Sequence, residues 1–360
     1  MRLLHAADLH LDSPFRGLPA EKALQRRRES RAVLDAMAAL VRERDVDAVL
    51  LSGDLFDGDA VYRETLEHLS RTLGAMACPV FIAPGNHDPY HSRSPYRQVD
   101  WPDNVRLFAD PHITYFELPE HRCVVYGAAF TDQRRIDHVL RGFTAPAEDH
   151  LQIMCLHADL SEGPYGPVSP EEIALSGLDY LALGHVHQCS GLLKAENTVY
   201  AYPGCPEGRG FDELGEKGVL VIEAEPGKVE AEFVPLCRRR YTIVTADVTG
   251  KDPREAAEEA LRGIPQEDLV RLVFTGETGE RGVDLDAIRT ALLLRFFHLE
   301  TRDETRVGEE LWSRAGEDSL RGLFLADLHS QYEKADTEEE REKIAMAARF
   351  GLAAMDGRDM

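Results

Sequence analysis

Seven residues of metal-binding types recur in order along the first half of the chain: Asp8, His10, Asp54, Asn86, His157, His185 and His187. Their donors are carboxylate, amide oxygen and imidazole. That set suits a hard-to-borderline divalent ion: manganese, iron or zinc. They stand as D-x-H (Asp8-Leu9-His10), G-D (Gly53-Asp54), G-N-H-D (Gly85-Asn86-His87-Asp88), a single His157, and G-H-x-H (Gly184-His185-Val186-His187). A lone H-x-H says little. The five words in this order are a strong signal for one metal centre. The D-x-H and H-x-H spacings predict that both side chains of each pair share one face of an extended segment. Gly53, Gly85 and Gly184 predict sharp backbone turns beneath the ions.

Each word follows a stretch that reads as a buried strand. Leu3–Ala7 leads into Asp8, Val49–Ser52 into Asp54, Val80–Ala83 into Asn86, Gln152–Leu156 into His157 and Tyr180–Leu183 into His185. In α/β sheets the loops beyond the carboxyl ends of strands converge on one rim. Helices are predicted between the early strands, over Pro19–Arg44 and Tyr62–Met76, from apolar residues at helical spacing. This order predicts a βαβ framework with parallel strands. Beyond about residue 110 short strands dominate, so the class is α/β (α+β), with two packed mixed sheets flanked by helices. After Cys237-Arg238-Arg239-Arg240 the pattern restarts as a small α+β unit. The expected domains are 1–237, 241–306 and a helical segment 308–360.

Composition narrows the function. The chain has 360 residues and a formal net charge of −23. That balance argues against a protein that wraps nucleic acid with a broad basic surface, but not against a nuclease whose bound metals offset carboxylates locally. No signal-peptide pattern opens the sequence, and no run reaches the roughly 18 apolar residues of a membrane span. A cytoplasmic protein without a membrane segment is therefore expected. The six cysteines are scattered, without a C-x-x-C pair, and read as reduced structural thiols.

The ordered ligand set resembles the calcineurin-like metallophosphoesterase superfamily over roughly residues 1–235. The resemblance implies a four-layer αββα fold. It implies one ion on Asp8, His10, Asp54 and His187, and a second on Asp54, Asn86, His157 and His185, with Asp54 as the bridge. Two such ions can hold a hydroxide between them for in-line attack on phosphorus. His87 resembles the histidine that stabilises the transition state or protonates the leaving alkoxide, and Asp57 resembles the aspartate that orients it. Asp88 reads as a loop-stabilising residue.

The words around the ligands go further. MRLLHAADLHLDSP at the start, GDLFD at Gly53–Asp57, PGNHDP at Pro84–Pro89 and YPGCPEGRG at Tyr202–Gly210 resemble SbcD-type DNA repair exonucleases, in a YhaO-like branch. That resemblance implies a DNA substrate, a small capping domain after the catalytic one, and an SbcC-like coiled-coil ATPase as partner. The acidic C-terminal helices are candidates to dock that partner or a second copy of this chain. Asp57 stands where a histidine is usual in the archaeal and eukaryotic nucleases of the group. Candidate substrate contacts are His91, Arg16, Arg93, Arg97 and Arg209, because arginine suits phosphate. The enzyme alternative is a phosphodiesterase or phosphatase for small nucleotides or phosphoproteins. The non-enzyme alternative, a scaffold protein, sits poorly with a complete ligand set.

Overall fold

The computed structural model describes residues 1–146, 149–279 and 282–357, with backbone alone for Glu309 and Glu310. It divides into two compact units, Met1–Arg240 and Tyr241–Met360.

In the first unit, alternation along β1 (Arg2–Ala6) decides the architecture. Leu4 and Ala6 face one way and pack with Val33, Leu34 and Met37 of α1 (Ala20–Glu43). Leu3 faces the other way, toward Ile153, Tyr180 and Ala182. Successive side chains of a strand point to opposite faces, so β1 is covered on both. The strands β2 (Ala48–Leu51) and β3 (Val80–Ile82), with α2 (Arg63–Gly74) between them, repeat the pattern. Continuous burial of each strand is what a parallel sheet sandwiched between layers requires. The helices expected over Pro19–Arg44 and Tyr62–Met76 thus form, shortened by a residue or two at each end.

Two six-stranded sheets result. With β4 (Val105–Leu107), β5 (Thr114–Leu118), β6 (Cys123–Gly127), β7 (Leu151–His157), α3 (Pro170–Leu175), β8 (Tyr180–Gly184), β9 (Leu193–Ala195), β10 (Thr198–Ala201), β11 (Gly218–Glu225) and β12 (Lys228–Pro235), their orders are β12-β11-β1-β2-β3-β4 and β5-β6-β7-β8-β10-β9. β1 to β4 are mutually parallel, as are β6, β7, β8 and β10. A core between the sheets joins Leu50 and Phe81 to Val125 and Tyr180. A third cluster packs Leu181 and Leu183 against Ile173 of α3. The layers are therefore helix, sheet, sheet and helix. Neither β4 nor α3 is expected from sequence. β4 is three residues long. α3 carries a legible signal, a capping box in which Ser169 accepts from the Glu172 amide and Glu172 accepts from the Ser169 amide.

The second unit holds β13 (Tyr241–Asp247), α4 (Pro253–Ala260), β14 (Leu269–Thr275), β15 (Glu277–Thr278), α5 (Leu285–Leu292), β16 (His298–Asp303) and β17 (Arg306–Val307). β13, β14 and β16 are parallel, joined by helical crossovers. The helices α6 (Leu320–Lys334) and α7 (Glu338–Met355) share a separate small core around Trp312, Leu325 and Ala348. No helix among the described residues is long and apolar enough to cross a membrane.

One buried group makes the first unit sensitive to acid. His5 is fully buried between the sheets, its Nδ1 2.8 Å from Tyr180 Oη and its Nε2 3.2 Å from Ser52 Oγ. Burial pushes its pKa down to about 3 from an ordinary 6.5. The unfolded chain therefore takes up a proton below about pH 6.5 that the fold refuses until about pH 3. Stability should fall across that window by about 1.4 kcal/mol per pH unit from this group. Denaturant unfolding at stepped pH should show that slope reduced in His5→Gln; equal slopes in both proteins would refute the assignment.

Candidate dinuclear metal site

The two loops that follow β1 and β2 run side by side. The Asp8 amide donates to Gly53 O at 3.0 Å, His10 N to Asp54 O at 2.9 Å and Leu11 N to Leu55 O at 2.8 Å. Asp8, His10 and Asp54 have φ of 55°, 42° and 51°, and His185 has φ of 112°. Left-handed backbone is uncommon for such residues and clusters at functional sites. This corrects the expectation of extended D-x-H and H-x-H segments, since both carry left-handed residues. The glycines also act differently from expectation. Gly53 does turn, at φ +87°. Gly85 and Gly184 are needed for space, since a Cβ would overlap the Asp54 carboxylate at one and the Ser52 carbonyl at the other.

All seven sequence candidates meet at this rim. Asp54 Oδ2 lies 3.6 Å from both His10 Nε2 and His157 Nε2. His187 Nε2 is 3.2 Å from His10 Nε2 and 3.9 Å from Asp8 Oδ1. Asn86 Oδ1 is 2.9 Å from His157 Nε2 and 3.2 Å from His185 Nδ1. Asp8, His10, Asp54 and His157 are essentially inaccessible to solvent, while His185 and His187 are half-buried.

The donor set itself fits metal ions. His157 Nδ1 is 3.0 Å from the Ser52 carbonyl, which can only accept, so Nδ1 carries the proton. Nε2 is then bare, yet it faces the amide oxygen of Asn86, another acceptor. His187 Nδ1 lies between Glu213 Oε1, an acceptor at 2.7 Å, and Arg209 Nη2, a donor at 3.1 Å; with its proton directed at the nearer carboxylate, Nε2 is bare opposite His10 Nε2. His10 Nδ1 in turn faces Asp57 Oδ1 at 3.3 Å. Lone pairs turned on one another at these separations repel, and a cation between them converts each into a ligand. A proton does not serve at His10 near neutral pH, because burial pushes that imidazole down to about 4. Burial also raises Asp8 to about 6 and lowers His185 to about 4, because taking either charged form out of water without a partner ion is costly. Among the described residues, three groupings of histidines and carboxylates have the reach to hold an ion: Asp8 with His10 and His187, Asp8 with Asp54 and His157, and His10 with Asp54 and His87.

His87 differs from its neighbours. Its side chain is 48% exposed, and its Nδ1 lies 3.6 Å from Asp57 Oδ1. Its ring stands edge-on to His10 with centroids 4.9 Å apart. Asp57 is shared, since it also receives Arg209 Nη1 at 3.4 Å and faces His10 Nδ1. Asp88 is fully buried and ties three elements: its Oδ1 accepts from Gly85 N at 2.8 Å, and its Oδ2 from Phe56 N at 3.0 Å and Tyr96 Oη at 2.6 Å.

Among the candidate phosphate contacts, Arg209 bonds directly to the constellation, through Asp57 and Glu213. His91 pairs with Asp59 at 3.3 Å, and Arg97 lies over the Tyr90 ring. Arg16, Arg93 and Arg97 are exposed. Sequence reasoning missed Glu213. Burial alone would raise its carboxyl, but hydrogen bonds from His187 and Arg209 outweigh that and hold it well below the usual carboxylate range. The available signal was weak, an acidic residue four positions after Arg209 in a glycine-rich loop. Cys205, unexplained by sequence, is buried with its Sγ 3.6 Å from Glu213 Oε2 and from the His187 carbonyl.

Residues 1–189 match the calcineurin-like phosphoesterase family, and the chain belongs to that family. Among curated proteins it is 32% identical over 247 residues to the uncharacterized metallophosphoesterase YhaO of Bacillus subtilis, covering 65% of this chain and 60% of that protein. It is 25% identical over 273 residues to the D component of nuclease SbcCD from the same organism, covering 63% and 67%. It is 28% identical over 355 residues to the DNA double-strand break repair protein Mre11 of Methanopyrus kandleri, covering 86% and 73%. The chain thus spans about three fifths of the length of YhaO.

Proposed function

We propose that the chain is a two-metal phosphodiesterase that cleaves DNA in repair, as an exonuclease. The observation that carries the reading is the convergence of bare acceptor atoms on two adjacent points either side of Asp54 Oδ2. Asp8, His10, Asp54 and His187 would hold one ion, and Asp54, Asn86, His157 and His185 the other. Bound divalent ions supply Lewis-acid activation of water and of the phosphoryl group. Manganese is our first choice of ion, with iron or zinc as alternatives, since carboxylate, amide and imidazole donors suit all three.

The chain's own groups do the rest. Asp57 faces His87 Nδ1 and leaves Nε2 to protonate the departing alkoxide. Arg209, 21% exposed and braced by Asp57 and Glu213, is placed to meet a phosphate oxygen. His91, Arg16, Arg93 and Arg97 would serve as outer contacts along a strand. The relatives named as a nuclease component and as a double-strand break repair protein support DNA as the substrate. They also support an SbcC-like coiled-coil ATPase as partner. We assign residues 241–306 the capping role and the 308–360 segment the docking of that ATPase or of a second copy. A cytoplasmic location fits this reading. The net charge of −23 favours the second reading, a phosphodiesterase for small nucleotides.

The test is hydrolysis of labelled single- and double-stranded DNA with Mn²⁺, beside bis-p-nitrophenyl phosphate. Cleavage of all three is expected. Cleavage of the small ester without DNA would refute the DNA reading, and cleavage of none would refute phosphodiester hydrolysis.

A further inference from the structure

We propose that Glu213 is a positioning residue for His187, fixing the tautomer and ring angle with which that histidine meets its ion. The proposal rests on the two-ion reading above. His10 and His157 are sealed in the fold, but the His187 side chain is 26% exposed, so packing alone does not fix its ring. The hydrogen bond to Glu213 Oε1, at 2.7 Å, does so instead. It is shorter than the corresponding separations of 3.3 Å from His10 to Asp57 and 3.8 Å from His185 to Asp159.

Glu213 cannot swing away. Its side chain is 5% exposed. Oε1 also accepts from Arg209 Nη2 at 2.8 Å and Nε at 3.2 Å, and Oε2 accepts from Arg209 N at 2.7 Å. The loop that carries it is anchored at its other end by the fully buried Arg26. Arg26 Nη2 donates to Glu207 Oε1 at 2.6 Å and to Gly208 O at 2.8 Å, while Nη1 donates to Glu29 at 2.9 Å. Lys217 Nζ donates to the His187 carbonyl at 3.0 Å, so the backbone of the ligand is held as well as its ring. Carboxylates behind metal-binding histidines fix their tautomer and raise their basicity, and their loss weakens metal binding or activity by about 10–100-fold.

The experiment is Mn²⁺ titration of the chelator-stripped full chain by calorimetry, with electron paramagnetic resonance spectra at each equivalent, for wild type, Glu213→Ala and Glu213→Gln. Wild type should take up two ions and develop a spin-coupled pair signal. Glu213→Ala should keep one ion at unchanged affinity and bind the other about 10–100-fold more weakly. Its spectrum at two equivalents should be that of isolated ions. Glu213→Gln, which retains an oxygen for His187 Nδ1–H, should fall between. Wild-type binding of both ions by Glu213→Ala overturns the proposal. Equal weakening of both ions also overturns it, because that marks a general loosening of the site. Fewer than two ions on the wild type overturns the two-ion reading itself.

Discussion

Asp54→Asn is expected to lose one of the two ions and to lower turnover on the order of 10³-fold, about 4 kcal/mol of transition-state stabilisation. Asp54 Oδ2 stands 3.6 Å from His10 Nε2 on one side and 3.6 Å from His157 Nε2 on the other. One oxygen placed between the two halves of the site must carry negative charge to serve both cations. An amide oxygen lacks that charge. Asparagine is the right substitution because Asp54 sits at φ 51°, a conformation asparagine tolerates better than most residues. With its one oxygen in the Oδ1 position, asparagine still accepts from His87 N, which bonds Asp54 Oδ1 at 2.9 Å, and sets an uncharged amide nitrogen at the bridging position. Loss of function would therefore report the missing charge and not a collapsed loop. Equilibrium dialysis with Mn²⁺ and turnover of bis-p-nitrophenyl phosphate check it. Two retained ions with near-wild-type turnover would show that Asp54 is no bridge.

His87→Ala is expected to keep both ions and to lose turnover on DNA by about 10²–10⁴-fold, the range for removing a proton-transferring side chain. Geometry alone allows His87 to join His10 and Asp54 around an ion. Its half-exposed ring and its turn toward Asp57 argue for a role facing substrate. Leaving-group dependence separates the two. A departing DNA alkoxide needs a proton, whereas p-nitrophenolate hardly does. The loss should thus be much larger on DNA than on bis-p-nitrophenyl phosphate. Equal losses on both would remove the acid role, and a missing ion would make His87 a ligand.

The site is legible in the sequence because its ligands sit directly at the ends of strands, and buried strands announce themselves. Leu3–Ala7, Val49–Ser52 and Tyr180–Leu183 are apolar on both faces, so their ends can be located to within a residue or two. Parallel pairing then places the loops of each sheet at one end of that sheet, and the stacking of the two sheets brings the ends together. What stays hidden depends on tertiary neighbours. The left-handed backbone at Asp8, His10 and Asp54 is imposed by the cross-loop hydrogen bonds from Asp8 and His10, which no local pattern encodes. The Ser52 carbonyl that fixes His157 is a backbone group and carries no side-chain signature. Glu213 reaches His187 across 26 positions of chain. Family resemblance makes Asp57 the partner of His87, and the structure places it nearer to His10, at 3.3 Å against 3.6 Å. In the fold, β4 escapes because Val105–Leu107 is too short for periodicity to register.

In the proposed site one Asp54 oxygen serves two ions. Crystals soaked in Mn²⁺ and measured near the manganese absorption edge test it most directly. The expected anomalous map has two peaks about 3.5–4 Å apart. One should lie beside Asp8, His10 and His187, the other beside Asn86, His157 and His185, and both within bonding distance of Asp54. A single peak, or two peaks that Asp54 does not join, would contradict it.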